Sequence, residues 1–220
     1  LVVFIPFTAP GDHISYRIIK RKKNFAQGKL IDILKPSPER TTPKCPYFGT
    51  CGGCQLQHLN YQSQLEYKRL SIQDALIRQG KLNNISVPSV IPATQQWSYR
   101  RRISLTLKPL KDNYTAGYIA ADGLTLLSID QCPIFVEKDS TIFSQVQEVV
   151  RSLLKKDSND GKLTILKRNN NTFLLHFHFK NLPNNAEQVL ANAAKKYSNW
   201  TGIIASSTDR TIEFGQLETH

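Results

Sequence analysis

The stretch that decides how this chain of 220 residues folds is a short loop, Cys45-Pro46-Tyr47-Phe48-Gly49-Thr50-Cys51-Gly52-Gly53-Cys54. It holds three of the four cysteines, spaced C-x5-C-x2-C, and its glycines allow the backbone to turn sharply. The fourth cysteine, Cys132, stands after 77 intervening residues and follows a predicted strand. Because clustered thiolates suit a soft metal centre, we predict that the loop and Cys132 form one site.

Three kinds of site compete for these cysteines. Disulfides need an oxidising compartment, and the apolar start of the chain, Leu1–Ile5, lacks the basic segment that opens a signal peptide. Structural zinc sites mostly use two paired knuckles, whereas here only Cys51 and Cys54 form one. A 4Fe–4S cluster more often has three ligands together and one apart. The spacing therefore slightly favours a cluster and leaves zinc, disulfides and ordinary core cysteines open.

Charge is distributed unevenly along the chain. The 29 Lys+Arg and 17 Asp+Glu give a net charge of +12, and residues 1–110 hold 17 and 5 of them, so the second half is neutral. A basic half predicts a face for a polyanion, of which nucleic acid is the commonest. A hydrophobic content of 40% is enough for a core, and no apolar run approaches the roughly 18 residues of a membrane helix. We expect a monomeric, cytoplasmic protein that binds nucleic acid and no membrane.

Short strands separated by turns fill the first 36 residues. The apolar run Leu1–Phe7 and the segments His13–Lys20 and Ala26–Leu34 are predicted strands, joined by turns rich in Pro, Gly or basic residues. This pattern predicts a small β-barrel of the oligonucleotide-binding kind, with at least one strand missing upstream. The proline-rich segment 35–43 is predicted to be an irregular linker.

The remainder of the chain predicts an α+β fold. A helix over Tyr61–Gln79 is indicated by apolar residues at helical spacing, namely Tyr61, Leu65, Ile72 and Leu76. Strands are predicted over 101–107, 115–120 and 124–129. A helix near 140–155, with apolar residues Ile142, Val146, Val149 and Leu153, is followed by strands 162–167 and 173–179, a helix near 186–197, and strands 202–206 and 210–214. This order predicts one sheet with helices on one face.

Four motifs occur in a fixed order. They are Ser37-Pro38-Glu39-Arg40, the cysteine loop continued as Gln55-Leu56-Gln57-His58, Tyr99-Arg100-Arg101-Arg102, and Gln131-Cys132-Pro133-Ile134. In these motifs the chain resembles the RNA (uracil-5-)-methyltransferase family, and within it the 23S ribosomal RNA branch. The resemblance runs over nearly the whole chain, and the cysteine loop is its most specific part.

The resemblance implies a three-part protein. A TRAM β-barrel, incomplete at its start, would cover residues 1–36, and a central domain with a 4Fe–4S cluster would cover residues 37–214. Residues 215–220 would begin a methyltransferase domain that binds S-adenosylmethionine. The cluster ligands implied by the resemblance are Cys45, Cys51, Cys54 and Cys132.

Catalysis itself is not expected from this chain alone. In the family a separate cysteine attacks uracil C6, and here all four cysteines match cluster ligands. No glycine-rich loop follows a strand in the way an S-adenosylmethionine site needs. We therefore expect the RNA-recognition part of a uridine C5-methyltransferase, inactive by itself. The alternative is a stand-alone RNA-binding module stabilised by an iron–sulfur cluster or zinc.

Two basic clusters are predicted to bind RNA. They are Lys20, Arg21, Lys22 and Lys23, in a predicted turn, and Arg100, Arg101 and Arg102, which match a family motif that faces RNA. Strand alternation places Arg100 and Arg102 on one face and Arg101 on the other, so the three should not share one role. His58 is expected to pack beside the thiols. His176 and His178 fall on the polar face of a strand and receive no role.

Overall fold

The computed structural model describes residues 1–110, 113–136, 141–154 and 160–217. The chain forms two compact units, of which the first contains residues 1–49 and 54–94, and the second residues 50–53 and 95–220. Within the described ranges, no helix has both the length and the apolarity to cross a membrane. The domain boundaries expected after residues 36 and 214 stay predictions.

The first unit is built on a sheet of three strands. They are β1 (Val2–Phe4), β2 (His13–Arg21) and β3 (Phe25–Lys35), in the order β1-β3-β2. β2 and β3 pair antiparallel and β1 joins β3 in parallel. All three predicted strands are confirmed, although β1 is shorter than the apolar run because Pro6 interrupts it. The described strands form an open sheet, so a closed barrel stays a prediction.

A buried ion pair fixes the proline-rich segment to this sheet. Arg40 donates from Nε and Nη2 to the two carboxylate oxygens of Asp12, at 2.8 and 2.6 Å. The same carboxylate accepts the backbone N–H groups of Ala9, at 2.6 Å, and Ser37, at 2.9 Å. The segment predicted as an irregular linker is therefore anchored at both Ser37 and Arg40.

Helix α1 (Tyr61–Arg78) completes the first unit. Asn60 caps its start, because its side-chain oxygen accepts the N–H of Ser63 at 2.9 Å. The buried side chains, Ser63 and Leu65, lie in the first two turns. The predicted helix is confirmed, but Ile72, which has helical spacing to Leu65, is 51% exposed, because the buried side chains of the helix lie in its N-terminal part.

The second unit contains one sheet of seven strands in its described part. They are β4 (Arg102–Leu110), β5 (Asn113–Ile119), β6 (Leu126–Ser128), β7 (Gly161–Lys167), β8 (Phe173–Phe179), β9 (Trp200–Ser206) and β10 (Thr211–Gly215). Their order is β10-β9-β8-β7-β4-β5-β6. Among these seven strands only β8 and β9 pair in parallel, and helix α3 (Ala186–Lys196) supplies the crossover that a parallel pair requires.

Helix α2 (Thr141–Leu153) and α3 cover one face of this sheet. The four residues predicted for the apolar face of α2, from Ile142 to Leu153, are all buried, which confirms the helical pattern. Residues 140 and 155, at the edges of the predicted helix, lie outside the described ranges. The mixed α+β class and the arrangement of one sheet with helices on one face are confirmed.

Alternation along the strands separates the sheet into a covered face and an open face. Leu163, Ile165, Leu175 and Phe177 are fully buried on the covered face. We define the open face by the polar side chains that alternate with such residues, namely Arg102, Ser104 and Thr106 of β4, Lys162 and Thr164 of β7, His176 and His178 of β8, and Ser206 of β9.

Candidate metal-binding and RNA-binding residues

Part of the cysteine loop lies alongside β5 in the second unit. The Gly52 N–H donates to the Ile119 carbonyl at 3.1 Å, and the Ala121 N–H donates to the Thr50 carbonyl at 2.8 Å. A Cβ on Gly52 would lie 2.9 Å from the Ile119 oxygen, which is closer than real Cβ atoms come. Glycine at this position therefore lets the loop approach the strand and places Cys51 beside it.

Tyr118 connects Cys51 with Cys132 inside the second unit. Its hydroxyl donates to Cys132 Sγ at 3.9 Å. Burial raises the pKa of Tyr118 far above its usual range, and the neighbouring Cys132 and Cys51 thiols raise it further, whereas Arg100 lowers it. The Cys132 sulfur therefore contacts the phenol hydroxyl, which stays protonated, and the backbone of Cys51 pairs with Ala120, two residues after Tyr118. The predicted association of Cys132 with the loop has this contact in its support.

Backbone bonds hold Cys132 in position. The Phe135 N–H donates to the Cys132 carbonyl at 2.9 Å, and the Phe135 side chain is fully buried. The carbonyl of the next residue, Pro133, accepts the Ser98 N–H at 2.9 Å. The segment that carries Cys132 is therefore tied to the chain just before Arg100.

Cys45 and Cys54 belong to the first unit. The Cys45 N–H donates to Gln57 Oε1 at 3.1 Å. His58 Nε2 donates to the Thr8 carbonyl at 3.1 Å, and its ring stacks on Phe48 at 5.6 Å between centroids. Burial lowers the pKa of His58, so the ring is neutral at pH 7. His58 thus packs on Phe48, whereas its expected place beside the thiols stays a prediction.

The four thiols have the chemistry of cluster ligands. No cysteine of the described chain is in a disulfide, which leaves the donor atoms that an iron–sulfur cluster needs. However, among the described residues no group of three or more His, Cys, Asp or Glu side chains is close enough together to hold a metal ion. The donors thus fit a cluster, and the described contacts relate Cys132 and Cys51 to one neighbour, Tyr118. The ligand assignment stays a prediction.

The basic cluster of the first unit lies at the β2–β3 hairpin. Lys20 and Arg21 end β2, Lys22 and Lys23 enter the turn, and all four are exposed. The Lys22 N–H donates to the Phe25 carbonyl at 2.8 Å, which closes the hairpin. Four cations on an exposed hairpin can reach a phosphate backbone without desolvating a protein core.

The three arginines before and at the start of β4 have different surroundings. Arg101 Nη2 donates to the Lys167 carbonyl at 3.1 Å and to Asn169 Oδ1 at 3.2 Å, so its guanidinium anchors the end of β7. All three arginines are exposed and line a cavity of 730 Å³ together with Tyr99 and Tyr118, although Arg101 alone has these two hydrogen bonds. The contacts of Arg101 thus differ from those of its neighbours, whereas the separate roles of the three arginines stay a prediction.

Sequence reasoning missed Tyr118 and Tyr99 as lining residues of this cavity. Tyr118 lies in a β-strand 14 residues before Cys132, and no spacing rule connects a tyrosine with a cysteine at that distance. For Tyr99 the sequence offers only its place in a motif. Its 55% exposure beside the arginines is the feature that only the structure reveals.

Comparison with known proteins gives relatives over most of the chain, whereas no family model matches. An uncharacterized RNA methyltransferase of Protochlamydia amoebophila is 47% identical over 208 residues, which are 94% of this chain and 47% of that protein. A 23S rRNA (uracil(1939)-C(5))-methyltransferase RlmD of Shewanella amazonensis is 34% identical over 174 residues, 78% of this chain and 39% of that protein. An uncharacterized RNA methyltransferase of Halalkalibacterium halodurans is 33% identical over 151 residues, 69% and 33% of the two chains. The chain thus spans a third to a half of the length of these relatives.

Proposed function

Because this chain belongs to the RNA methyltransferase family, we propose that it is the RNA-recognition part of an S-adenosylmethionine-dependent uridine C5-methyltransferase that acts on 23S rRNA. The observation that carries the proposal is the match of 78% of the chain to a protein named for that reaction. The basic first half, with its exposed hairpin, supports binding to a polyanion. Methyl transfer is assigned to parts of such a protein that this chain does not supply.

RNA contact is assigned to the exposed cations. Lys20, Arg21, Lys22 and Lys23 are proposed to bind phosphates at the hairpin. Arg100 and Arg102 are proposed to bind RNA at the cavity, where an arginine can pair with a phosphate or stack on a base. Arg101 is proposed to act indirectly, because its guanidinium is bonded to Lys167 and Asn169.

The four cysteines are assigned to a 4Fe–4S cluster. Thiolates are the usual ligands of such clusters, and the resemblance of the loop to the family supports Cys45, Cys51, Cys54 and Cys132 as the set. The Gly53 N–H donates to Cys51 Sγ at 3.4 Å, so a backbone donor lies beside this proposed ligand. When bound, the cluster would cross-link parts of the chain far apart in sequence.

Binding and methylation assays test the functional proposal. The chain is titrated with a fragment of 23S rRNA at several salt concentrations, and 5-methyluridine is measured by mass spectrometry after incubation with S-adenosylmethionine. We expect affinity to fall steeply with salt and no 5-methyluridine to form with the chain alone. Absent or salt-independent binding would contradict RNA recognition. Methyl transfer by the chain alone would contradict the division of roles.

Metal analysis tests the cluster separately. The chain is purified without oxygen, and iron, acid-labile sulfide and zinc are measured per chain. We expect about four iron and four sulfide per chain. Stoichiometric zinc without iron would favour the alternative, a zinc-stabilised module. A Cys132→Ser variant should lose iron and sulfide, whereas a variant of the exposed Ser71, Ser71→Ala, should keep both.

A further inference from the structure

The open face of the second unit carries an uninterrupted row of polar side chains. The strand register pairs Thr106 with Lys162, Lys162 with His178, and His178 with Ser206. Paired residues in adjacent strands point to the same face, so these four side chains cross four strands in roughly 14 Å. Lys162 and His178 are exposed.

A second row runs beside the first and is joined to it. Ser104 pairs with Thr164, with 3.2 Å between their hydroxyl oxygens, and Thr164 pairs with His176. The Ser206 hydroxyl lies 2.7 Å from His176 Nε2 and 3.1 Å from His178 Nδ1, so it holds both rings. The imidazoles therefore have fixed orientations rather than free rotamers.

On the open face of β4, β7 and β8, the charged side chains are basic. Among the open-face positions described for β4, β7 and β8, there is no Asp or Glu, whereas Arg102 and Lys162 are exposed cations. Lys108 is paired with Asp160 at 3.5 Å, at the far end of β4. Glu213, in the edge strand β10, lies opposite Ile204 and is thus on the same face at its rim. The two polar rows are therefore basic and rich in hydroxyl and imidazole groups, and the half-buried Leu166, Leu174 and Ile204 lie beside them on the same face.

We propose that this open face binds the sugar–phosphate backbone of a single-stranded RNA segment, with Arg102 and Lys162 on phosphates and His176, His178 and the hydroxyl groups on sugars and phosphates. The inference rests on the proposed function: it includes Arg102 of the second basic cluster and extends the RNA contact to Lys162, His176, His178 and the hydroxyl groups, which lie outside both clusters. Phosphates are contacted by Arg, Lys, Ser and Thr side chains, all of which are present here. A face for a protein domain would have an apolar centre depleted in charge, which this row does not have.

The test removes one cation from the open face and one from the opposite side. Lys162→Gln is compared with Lys195→Gln, which removes an exposed cation of α3, the helix on the covered face. The probe is a fluorescent oligouridylate of about 20 nucleotides, titrated at several salt concentrations. We expect Lys162→Gln to weaken binding about 3- to 10-fold and to reduce the slope of log K against log salt by about 0.7. Lys195→Gln should change neither.

The histidines provide a readout that does not depend on affinity. With ¹³C-labelled histidine, the imidazole signals of His176 and His178 should shift as oligouridylate is added, whereas His58, 5% exposed in the first unit, should not move. If the wild-type chain binds neither the 23S rRNA fragment nor oligouridylate, the proposed function itself is contradicted, and if it binds the fragment but not oligouridylate, the open-face inference is overturned. If it binds both, but Lys162→Gln behaves like Lys195→Gln and the two histidines stay unmoved, only the open-face inference is overturned.

Discussion

Asp12 is the single carboxylate with the most partners in the described part of the first unit. Its side chain is 2% exposed and receives four hydrogen bonds, two from Arg40 and two from backbone N–H groups. A buried charge without its partner is costly. The loss of either Asp12 or Arg40 should therefore destabilise the protein more than the loss of one residue from an exposed ion pair with the same N–O distance. The exposed pair Asp74 and Arg78, also 2.6 Å apart, is the natural comparison.

We predict that Asp12→Asn lowers the free energy of unfolding by about 3 kcal/mol, because it leaves the Arg40 guanidinium buried without a counter-charge. Asp74→Asn should cost less than about 1 kcal/mol, since water screens its partner. Urea unfolding at pH 7, followed by circular dichroism, measures both. Equal changes in the free energy of unfolding for the two substitutions would show that burial does not increase the contribution of the ion pair to stability.

The same carboxylate predicts an acid dependence. The Arg40 guanidinium bonded to Asp12 holds the pKa of that carboxyl well below its usual range. Its contribution to stability is therefore complete above the pKa of an unfolded Asp, about 3.9, and is lost as the pH falls towards the folded value. The difference in stability between wild type and Asp12→Asn should be constant from pH 7 to about pH 5 and should shrink below about pH 4. A difference that grows on acidification contradicts the assignment.

At the scale of elements, the side chain of Gln147 in α2 makes the backbone hydrogen bonds with Ala116 that a neighbouring strand would otherwise make. β6 pairs only with residues 117–119 of β5, so Ala116 lies beyond its end. Gln147 Oε1 accepts the Ala116 N–H at 3.0 Å, and Gln147 Nε2 donates to the Ala116 carbonyl at 2.7 Å. The helix thus satisfies both backbone groups of a residue that is fully buried.

We predict that Gln147→Leu destabilises the protein by about 2–3 kcal/mol, because the N–H and C=O of Ala116 lose their partners inside the fold. Arg151→Gln, at an exposed position of the same helix, should change stability by less than about 0.5 kcal/mol. Thermal unfolding monitored by calorimetry compares the two variants. A neutral Gln147→Leu would mean that water replaces the amide without cost.

The elements show which features a sequence can predict and which it cannot. Phe173–Phe179 is predicted and observed with the same bounds, because its alternation of Phe and Leu with His has the period of a strand. α1 shows the opposite: Ile72 has the right spacing for a core position, but its exposure depends on what the helix packs against. The hydrogen bonds of Gln147 to Ala116 join residues 31 positions apart and depend on where β6 ends. Pairing of this kind is tertiary and leaves no local periodicity.

In the candidate site, too, the features that depend on residues close in the sequence were predictable, and those that depend on tertiary contacts were not. The clustering of Cys45, Cys51 and Cys54 is visible in the sequence because the three residues are close in the chain. The proximity of Cys132 and Cys51 to Tyr118 arises from the pairing of the loop with the end of β5. Strand alternation predicts that Arg100 and Arg101 point to different faces, but the partners of Arg101, Lys167 and Asn169, are more than 60 residues away and are visible only in the structure.

At the scale of the whole molecule, the position of charge should matter more than its amount. Replacing Lys20, Lys22 and Lys23 by Gln, or Arg151, Lys180 and Lys195 by Gln, lowers the net charge from +12 to +9 in either case. All six side chains are exposed, and only the first three lie on the hairpin. We predict that the hairpin variant reduces the slope of log K against log salt for single-stranded RNA by about 2, at about 0.7 for each phosphate that the protein no longer neutralises, and that the other variant leaves the slope unchanged. Fluorescence anisotropy with the oligouridylate measures both slopes. If the two variants bind RNA with equally reduced affinity, RNA responds to the overall charge of the protein and not to a defined face.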